Sequence, residues 1–379
     1  MDFRNDEMHE ELLAVYKDFA EKAVAPLAAE LDEQERFPEE LIPTMAEMGL
    51  MGIAFPEEYG GMGMDELSYV QCVEEISKKC ASTGVTLSGH ASLCCWPIFH
   101  FGTEEQKAKY LPDLLAGKKL GAFGLTEANA GTDAAGQKTV AEDMGDYYLV
   151  NGSKMFITNA AYADIFIVMA MTDKSQGTKG ISAFIMEKGM EGFSVGKKEH
   201  KMGIRGSNTC ELIFENVKVP KENLLGKLGK GFALAMQTLD GGRIGIAAQA
   251  LGIAEGALDV TVEYVKQRVQ FGKPIAAFQN TQFELAQMKA NTDAAKMLVY
   301  RAANALDNGE PYSILAAEAK LFAARNASDV TRRCLQLYGG YGYTREYPIE
   351  RMMRDAKITE IYEGTSEVQM MVVGGSMIR

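Results

Sequence analysis

The chain has 379 residues, 47% of them hydrophobic, enough to bury a substantial core and to divide into two or three domains. Its net charge of −13 opposes the counterion release that drives binding to nucleic acid and anionic membranes, so neither is expected as a partner. None of the six cysteines falls in a CxxC or zinc-like spacing; they read as buried thiols of a reducing compartment, and no metal is expected.

The N-terminus, Met1-Asp2-Phe3-Arg4-Asn5-Asp6-Glu7, carries neither a basic n-region nor an apolar h-region. No uninterrupted apolar segment reads as long enough to span a bilayer, and a cytoplasmic protein is expected. From Glu10 to Leu31, residues Leu12, Leu13, Tyr16, Phe19, Ala20, Ala23, Val24 and Leu27 recur at helical spacing and predict an amphipathic helix interrupted at Pro26. Further helices are predicted over Pro38 to Met48, Asp65 to Cys80, Val85 to Phe99 and Glu104 to Leu115, with a glycine-rich connection from Gly49 to Gly63. His90 and His100 flank the Cys94-Cys95 pair, where satisfied packing residues are favoured over a metal site. Residues 1–120 read as an N-terminal α-helical domain.

At about Gly121 the texture changes to short β-branched and aromatic runs. Tyr147 to Val150, then Asn151-Gly152, then Ser153 to Thr158 carry a strong hairpin signal in the Asn-Gly pair. Ile165 to Met171, Ile181 to Met186 and Glu211 to Val219 read as further strands, so residues 121–226 are predicted to be a middle antiparallel β domain. The helical period returns in long alanine-rich segments, about Phe232 to Gln267, Thr281 to Asn308 and Ser313 to Tyr338, with a last helix after Thr365. Residues 227–379 read as a C-terminal α-helical bundle, and the fold class is α+β.

Neither GxGxxG after a strand nor GxxxxGK[ST] occurs, so Rossmann and P-loop nucleotide binding are not indicated. In Phe123-Gly124-Leu125-Thr126-Glu127 and the following Ala130-Gly131-Thr132-Asp133, Gly131 permits a tight turn. Thr126 and Thr132 offer hydroxyls beside backbone donors, which suits a polar heterocycle and its phosphates; an ordinary connecting loop is the plainer reading. Phe156-Ile157-Thr158-Asn159 sets an aromatic and a hydroxyl at a strand end. Leu239-Asp240-Gly241-Gly242-Arg243 falls at the first turn of, or a break in, a long helix, where Arg243 would pair with Asp240 or with a ligand. Arg268-Val269-Gln270-Phe271-Gly272 follows a helix C-terminus, a place the macrodipole alone favours for a cation. Gln336-Leu337-Tyr338-Gly339-Gly340-Tyr341-Gly342 closes a helix with more glycines than a C-cap needs. Ile361-Tyr362-Glu363-Gly364-Thr365-Ser366 places a carboxylate on a turn. Ser366 and Gln369 there have capping-box spacing, and such a helix start attracts anions. Taken alone, Glu363 reads more simply as a surface residue in a capped turn.

In order and spacing these motifs resemble the acyl-CoA dehydrogenases, across nearly the whole chain. Leu239 to Gly252 and Met353 to Thr359 look most like the short-chain, butyryl-CoA dehydrogenases of anaerobic bacteria. The resemblance implies an FAD enzyme whose flavin site is shared between subunits, commonly in a homotetramer. It implies flavin contacts from Phe123, Leu125, Thr126, Gly131, Thr132, Phe156, Ile157 and Thr158. Arg268, Phe271, Gln279, Gln336, Leu337, Gly339 and Gly340 would reach FAD across the subunit interface, with Thr365 and Glu367 near its pyrophosphate and AMP part. Acyl-CoA would lie along Thr132, Leu239, Asp240 and Arg243, beside Tyr362 and Gly364. Glu363 would be the catalytic base for the proton α to the thioester, while the β hydrogen leaves as hydride to the flavin. A dry pocket walled by Ile361 and Tyr362 would raise the Glu363 pKa toward neutrality. In relatives acting on isovaleryl or some long-chain substrates the base precedes the Arg of the Asp240 to Arg243 segment; here that position is Gly242, so straight-chain chemistry is preferred. The implied electron partner is an electron-transferring flavoprotein. The alternatives are a medium-chain or branched-chain acyl-CoA dehydrogenase and, in another class, a DNA-associated alkylation-response flavoprotein, against which the charge of −13 and Glu363 both count.

Overall fold

The computed structural model describes residues 6–378; Met1 to Asn5 and Arg379, part of the reading of the chain ends, lie outside them. Helix α1 (Glu7–Phe19) starts where the Asp6 carboxylate accepts the His9 N–H at 2.9 Å, and it buries Tyr16 and Phe19. Pro26 interrupts the predicted helix as expected. It has no N–H to continue the ladder, and a π turn (Ala20–Val24) and a 3-10 turn (Ala25–Leu27) lead into α2 (Ala28–Glu33). Helices α3 (Leu41–Glu47) and α4 (Glu66–Lys79) follow. The helix predicted from Val85 to Phe99 is in fact α5 (Ala81–His90), a π turn (Ala91–Cys95) and α6 (Trp96–Phe101). Helix α7 (Glu104–Leu115) starts on a Thr103–Gln106 capping box. His90 anchors the join to the sheet: its Nδ1 accepts the Gly121 N–H at 3.0 Å while Nε2 donates to the Leu114 carbonyl at 3.1 Å. Burial holds its pKa down at about 4.

Strands β1 (Gly121–Gly124), β2 (Val140–Asp143), β3 (Tyr147–Thr158), β4 (Ile165–Met171), β5 (Ile181–Glu187), β6 (Phe193–Lys198), β7 (Thr209–Pro220) and β8 (Leu224–Leu225) make one sheet in the order β6-β7-β3-β2-β4-β5-β8, with β1 beside β4. Most neighbours are antiparallel, but β1 runs parallel to β4, with Gly121 opposite Ile165. The hairpin predicted at Asn151-Gly152 does not form. Strand β3 runs through the pair, and its register against β7 shifts between Val150 and Gly152 as a bulge. Gly152 sits at φ +141°, where a Cβ would also collide with Thr139, and the Asn151 side chain accepts the Asn216 N–H at 2.8 Å across the ladder. The reversal comes instead through Gly145, at φ +91°, between β2 and β3. Strand β4 is buried on both faces: Ile165, Ile167 and Met169 join the helical core, and Phe166, Val168 and Ala170 join a second core with Phe184, Leu212 and Phe214.

Helix α8 (Gly231–Gln267) is followed by a short ribbon of β9 (Val269–Gln270) and β10 (Lys273–Pro274), then α9 (Gln279–Asp307) and α10 (Ser313–Tyr338). Helix α11 (Ile349–Thr359), which the sequence reading did not recognise as a helix, and α12 (Ser366–Met377) complete the bundle. Helix α8 has the length and hydropathy of a membrane-spanning helix, which the membrane reading overlooked, yet 83% of its apolar window is buried in this fold. It packs backbone to backbone on α4, since a Cβ at Gly252 or Gly256 would collide with the carbonyls of Glu74 or Lys78. Asp240 to Arg243 lies inside α8, neither in its first turn nor at a break.

Candidate active site

Between α11 and α12 the chain makes a turn with Glu363 at φ +51° and Gly364 at φ +93°. A left-handed glutamate costs on the order of 1–3 kcal/mol, so its surroundings must over-determine it. They do: the Ser366 N–H donates to the Glu360 carbonyl at 2.9 Å, the Gln369 amide to the Gly364 carbonyl at 2.9 Å, and the Lys320 ammonium to the same Gly364 carbonyl at 2.6 Å. The cap differs from the prediction by one residue. Thr365, not Ser366, is the N-cap and accepts the Val368 N–H at 3.3 Å, while Gln369 spends its amide on the turn carbonyls rather than on a capping box. Ser366 becomes the first, buried residue of α12.

The fold carries the Glu363 side chain inward, against α8. Its Oε2 is shielded from solvent and has no hydrogen-bond partner. Burial pushes its pKa up to about 7, against the opposing charges of Lys320 and Arg243. A Cβ at Gly242 would overlap this same Oε2, so the missing side chain on α8 makes the space that the carboxylate fills. One helical step on, buried Arg243 pairs with Asp240 at 2.5 Å, the intrahelical partner anticipated for it, and its Nε is left without a partner. Tyr362 donates to Gln249, whose amide donates to the Ala81 carbonyl at 2.9 Å, tying the turn to α8 and α5. A narrow cavity of about 20 Å³ lies beside Gly241, lined by Ile53, Tyr69, Ser92 and Trp96 among others. Leu239 and Asp240 are half-buried on the same helix.

The loop after β1 is braced from below. Lys154, fully buried in β3, reaches Glu127 at 2.8 Å, Gln137 at 3.0 Å and the Leu125 carbonyl at 3.1 Å. Burial lowers the Lys154 pKa to about 8; burial also works to raise Glu127, but the Lys154 charge and the Lys138 and Thr139 donors bring it below its usual value. The Met155 N–H donates to the Thr126 carbonyl at 2.8 Å, so Phe123, Leu125 and Thr126 stand beside Phe156, Ile157 and Thr158. At the loop tip Gly131 and Thr132 are exposed, with open space around Gly131. Phe156, at φ +61°, holds its ring out at 61% exposure, whereas Ile157 is buried in the sheet.

Arg268, Gln336, Leu337, Gly339 and Gly340 line one cavity of about 600 Å³, with the Arg268 guanidinium 5.2 Å from the centre of the Tyr341 ring. Phe271, 94% exposed, and exposed Gln279 are not among its lining residues. Thr365 and exposed Glu367 lie at the start of α12. The structure thus gathers most of the predicted residues into a Glu363 centre, a braced loop with an open aromatic, and a cavity at the end of α10, and leaves Phe271 and Gln279 outside them. Sequence reasoning missed Lys320 and Gln249. Each lies in an alanine-rich helical run, Ala316-Ala317-Glu318-Ala319-Lys320 and Ala247-Ala248-Gln249-Ala250, and what marks them is that both are fully buried, which helical spacing alone does not report.

Three family models match: the acyl-CoA dehydrogenase N-terminal domain over residues 6–118, the middle domain over 122–217 and the C-terminal domain over 229–378. A short-chain specific acyl-CoA dehydrogenase of Clostridium acetobutylicum is 58% identical over 379 residues, covering all of both chains. Among solved structures, butyryl-CoA dehydrogenase from Megasphaera elsdenii superposes with a TM-score of 0.98 at 55% identity, covering all of both chains. A chain from work on the electron transferring flavoprotein of Acidaminococcus fermentans and flavin-based electron bifurcation superposes at 0.99 with 56% identity, again over all of both chains.

Proposed function

Because this chain belongs to the acyl-CoA dehydrogenase family, we propose that it catalyses FAD-dependent α,β-dehydrogenation of a short-chain acyl-CoA, butyryl-CoA to crotonyl-CoA or the reverse. Electrons are exchanged with an electron-transferring flavoprotein, and the working unit is a cytoplasmic homotetramer. The three parts 1–120, 121–226 and 227–379 act as its domains.

The observation that carries this reading is the Glu363 carboxylate, with Oε2 shielded and unpartnered against the backbone of α8. A desolvated carboxylate with a pKa of about 7 accepts a proton far better than an exposed one while staying substantially ionised near neutrality. Glu363 therefore takes the proton α to the thioester, and in the reverse direction returns it. Gly242 excludes a second carboxylate from α8 and clears the space for Glu363, which favours straight-chain over branched-chain chemistry. Tyr362, fixed by Gln249, walls the site against water.

The residues present fit FAD. An unshielded Phe156 ring and the braced loop from Phe123 to Thr132 suit the isoalloxazine and phosphates, and the cavity of Arg268, Gln336, Leu337, Gly339 and Gly340 suits the part donated across a subunit interface. When bound, FAD supplies the acceptor for the β hydrogen as hydride. The test is Glu363→Gln in the FAD-loaded protein. It is expected to retain FAD and bind butyryl-CoA without bleaching of the flavin; bleaching at the unmodified rate would remove Glu363 from the role of base.

A further inference from the structure

We infer that Lys320 is a positioning residue for the Glu363 base: from α10 it holds the Gly364 carbonyl, fixing the left-handed turn, and its buried positive charge biases the neighbouring carboxylate toward the ionised form. The inference rests on the reading of Glu363 as the base.

Three observations on different elements converge. Lys320 is among the largest side chains with no solvent exposure, and it donates to the Gly364 carbonyl at 2.6 Å, one peptide from Glu363. The turn it holds is the strained one, with Glu363 at φ +51°. An anchor for one carbonyl needs only a neutral donor, and Gln369 already supplies one to the same oxygen at 2.9 Å. Burying an ammonium for that bond alone costs more desolvation than a single hydrogen bond returns. The cost is offset if the charge also acts on Glu363, where Lys320 is the foremost of the cations drawing the carboxyl pKa down against its burial.

The other charged and titratable groups are few and are placed to leave this role to Lys320. Arg243 of α8 also faces Glu363, but it is already paired with Asp240. Tyr69 of α4 and Tyr362 of the turn feel the Glu363 charge, and burial drives both pKa values upward, leaving them neutral. Lys320 in turn faces Glu363, Arg243, Glu360 and Glu367; its pKa falls to about 8 by burial, partly opposed by Glu363, so at pH 7 it is mainly protonated.

Removing a positive charge raises the pKa of a neighbouring carboxyl. Dehydrogenation needs the carboxylate, so its rate rises with pH through that pKa, and loss of the charge moves the acidic limb to higher pH. The experiment follows anaerobic flavin reduction by butyryl-CoA from pH 5.5 to 9.5 in the FAD-loaded protein and in Lys320→Met, Lys320→Gln and Lys320→Arg. For the neutral variants the limb is expected to move up by about one pH unit, with roughly fivefold slower reduction at pH 7 that recovers by pH 9. Lys320→Arg is expected to keep the limb of the unmodified protein. Neutral variants that lose rate or FAD equally at every pH, with the limb unmoved, would reduce Lys320 to a structural brace and overturn the inference. If the neutral variants fail to fold, the coupling is read from the other side, because it is reciprocal. In protein carrying ¹⁵Nζ-lysine, with the Lys320 signal assigned by its loss in Lys320→Arg, Glu363→Gln is expected to lower the Lys320 titration midpoint. An unchanged midpoint would overturn the inference. Flavin bleaching by Glu363→Gln at the unmodified rate is a separate result, which would dispose of the base and leave the Lys320–Glu363 coupling to be judged by the midpoint alone.

Discussion

At the scale of single residues, the site depends on a side chain that is absent. The carboxylate of Glu363 occupies the volume that any Cβ at Gly242 would claim, so the two positions compete for one space. Gly242→Ala is accordingly expected to keep the fold and the flavin while displacing the carboxylate, lowering the rate of flavin reduction by butyryl-CoA about 100-fold, the scale set by a misplacement of roughly 1 Å. Reduction within a few-fold of the unmodified rate would show that the carboxylate relaxes without loss. Glu363 and Gly242 were both legible in the sequence, because family resemblance attaches to short motifs around them. Lys320 and Gln249 were not, because what singles them out is burial of a polar group, and periodicity does not report which face of an alanine-rich helix is sealed on every side.

Helices were read better than the sheet. Helix α10 and helix α7 begin and end where helical spacing and capping place them, and β4 matches its apolar run. Asn151-Gly152 misled because a bulge and a hairpin turn both call for a residue at positive φ, and only the partner strand β7 decides between them. Helix α11 has the pattern of an amphipathic helix, with Ile349, Met352 and Ala356 setting a buried stripe among its charged residues, so the sequence carried its signal. A close helix contact offers a prediction at this scale. Gly256 of α8 lies so near the Lys78 carbonyl of α4 that Gly256→Ala must push the helices apart. The expected cost is about 1–3 kcal/mol, read as a lower thermal midpoint. A midpoint equal to that of the unmodified protein would mean that α4 and α8 slide apart freely.

Over the whole molecule, the order of helical, β and helical parts was visible in composition and period alone, and the comparisons with known dehydrogenases extend along essentially the full chain. What the sequence did not reveal is that α10 joins α8 and the turn before α12 at Glu363, through Lys320 and the Gly364 carbonyl. The most direct measurement is anaerobic titration of the FAD-loaded protein with butyryl-CoA, hexanoyl-CoA and octanoyl-CoA, following flavin bleaching. Full bleaching by butyryl-CoA, with progressively weaker response to the longer chains, is the result predicted; a flavin left oxidised by butyryl-CoA but reduced by octanoyl-CoA would contradict it.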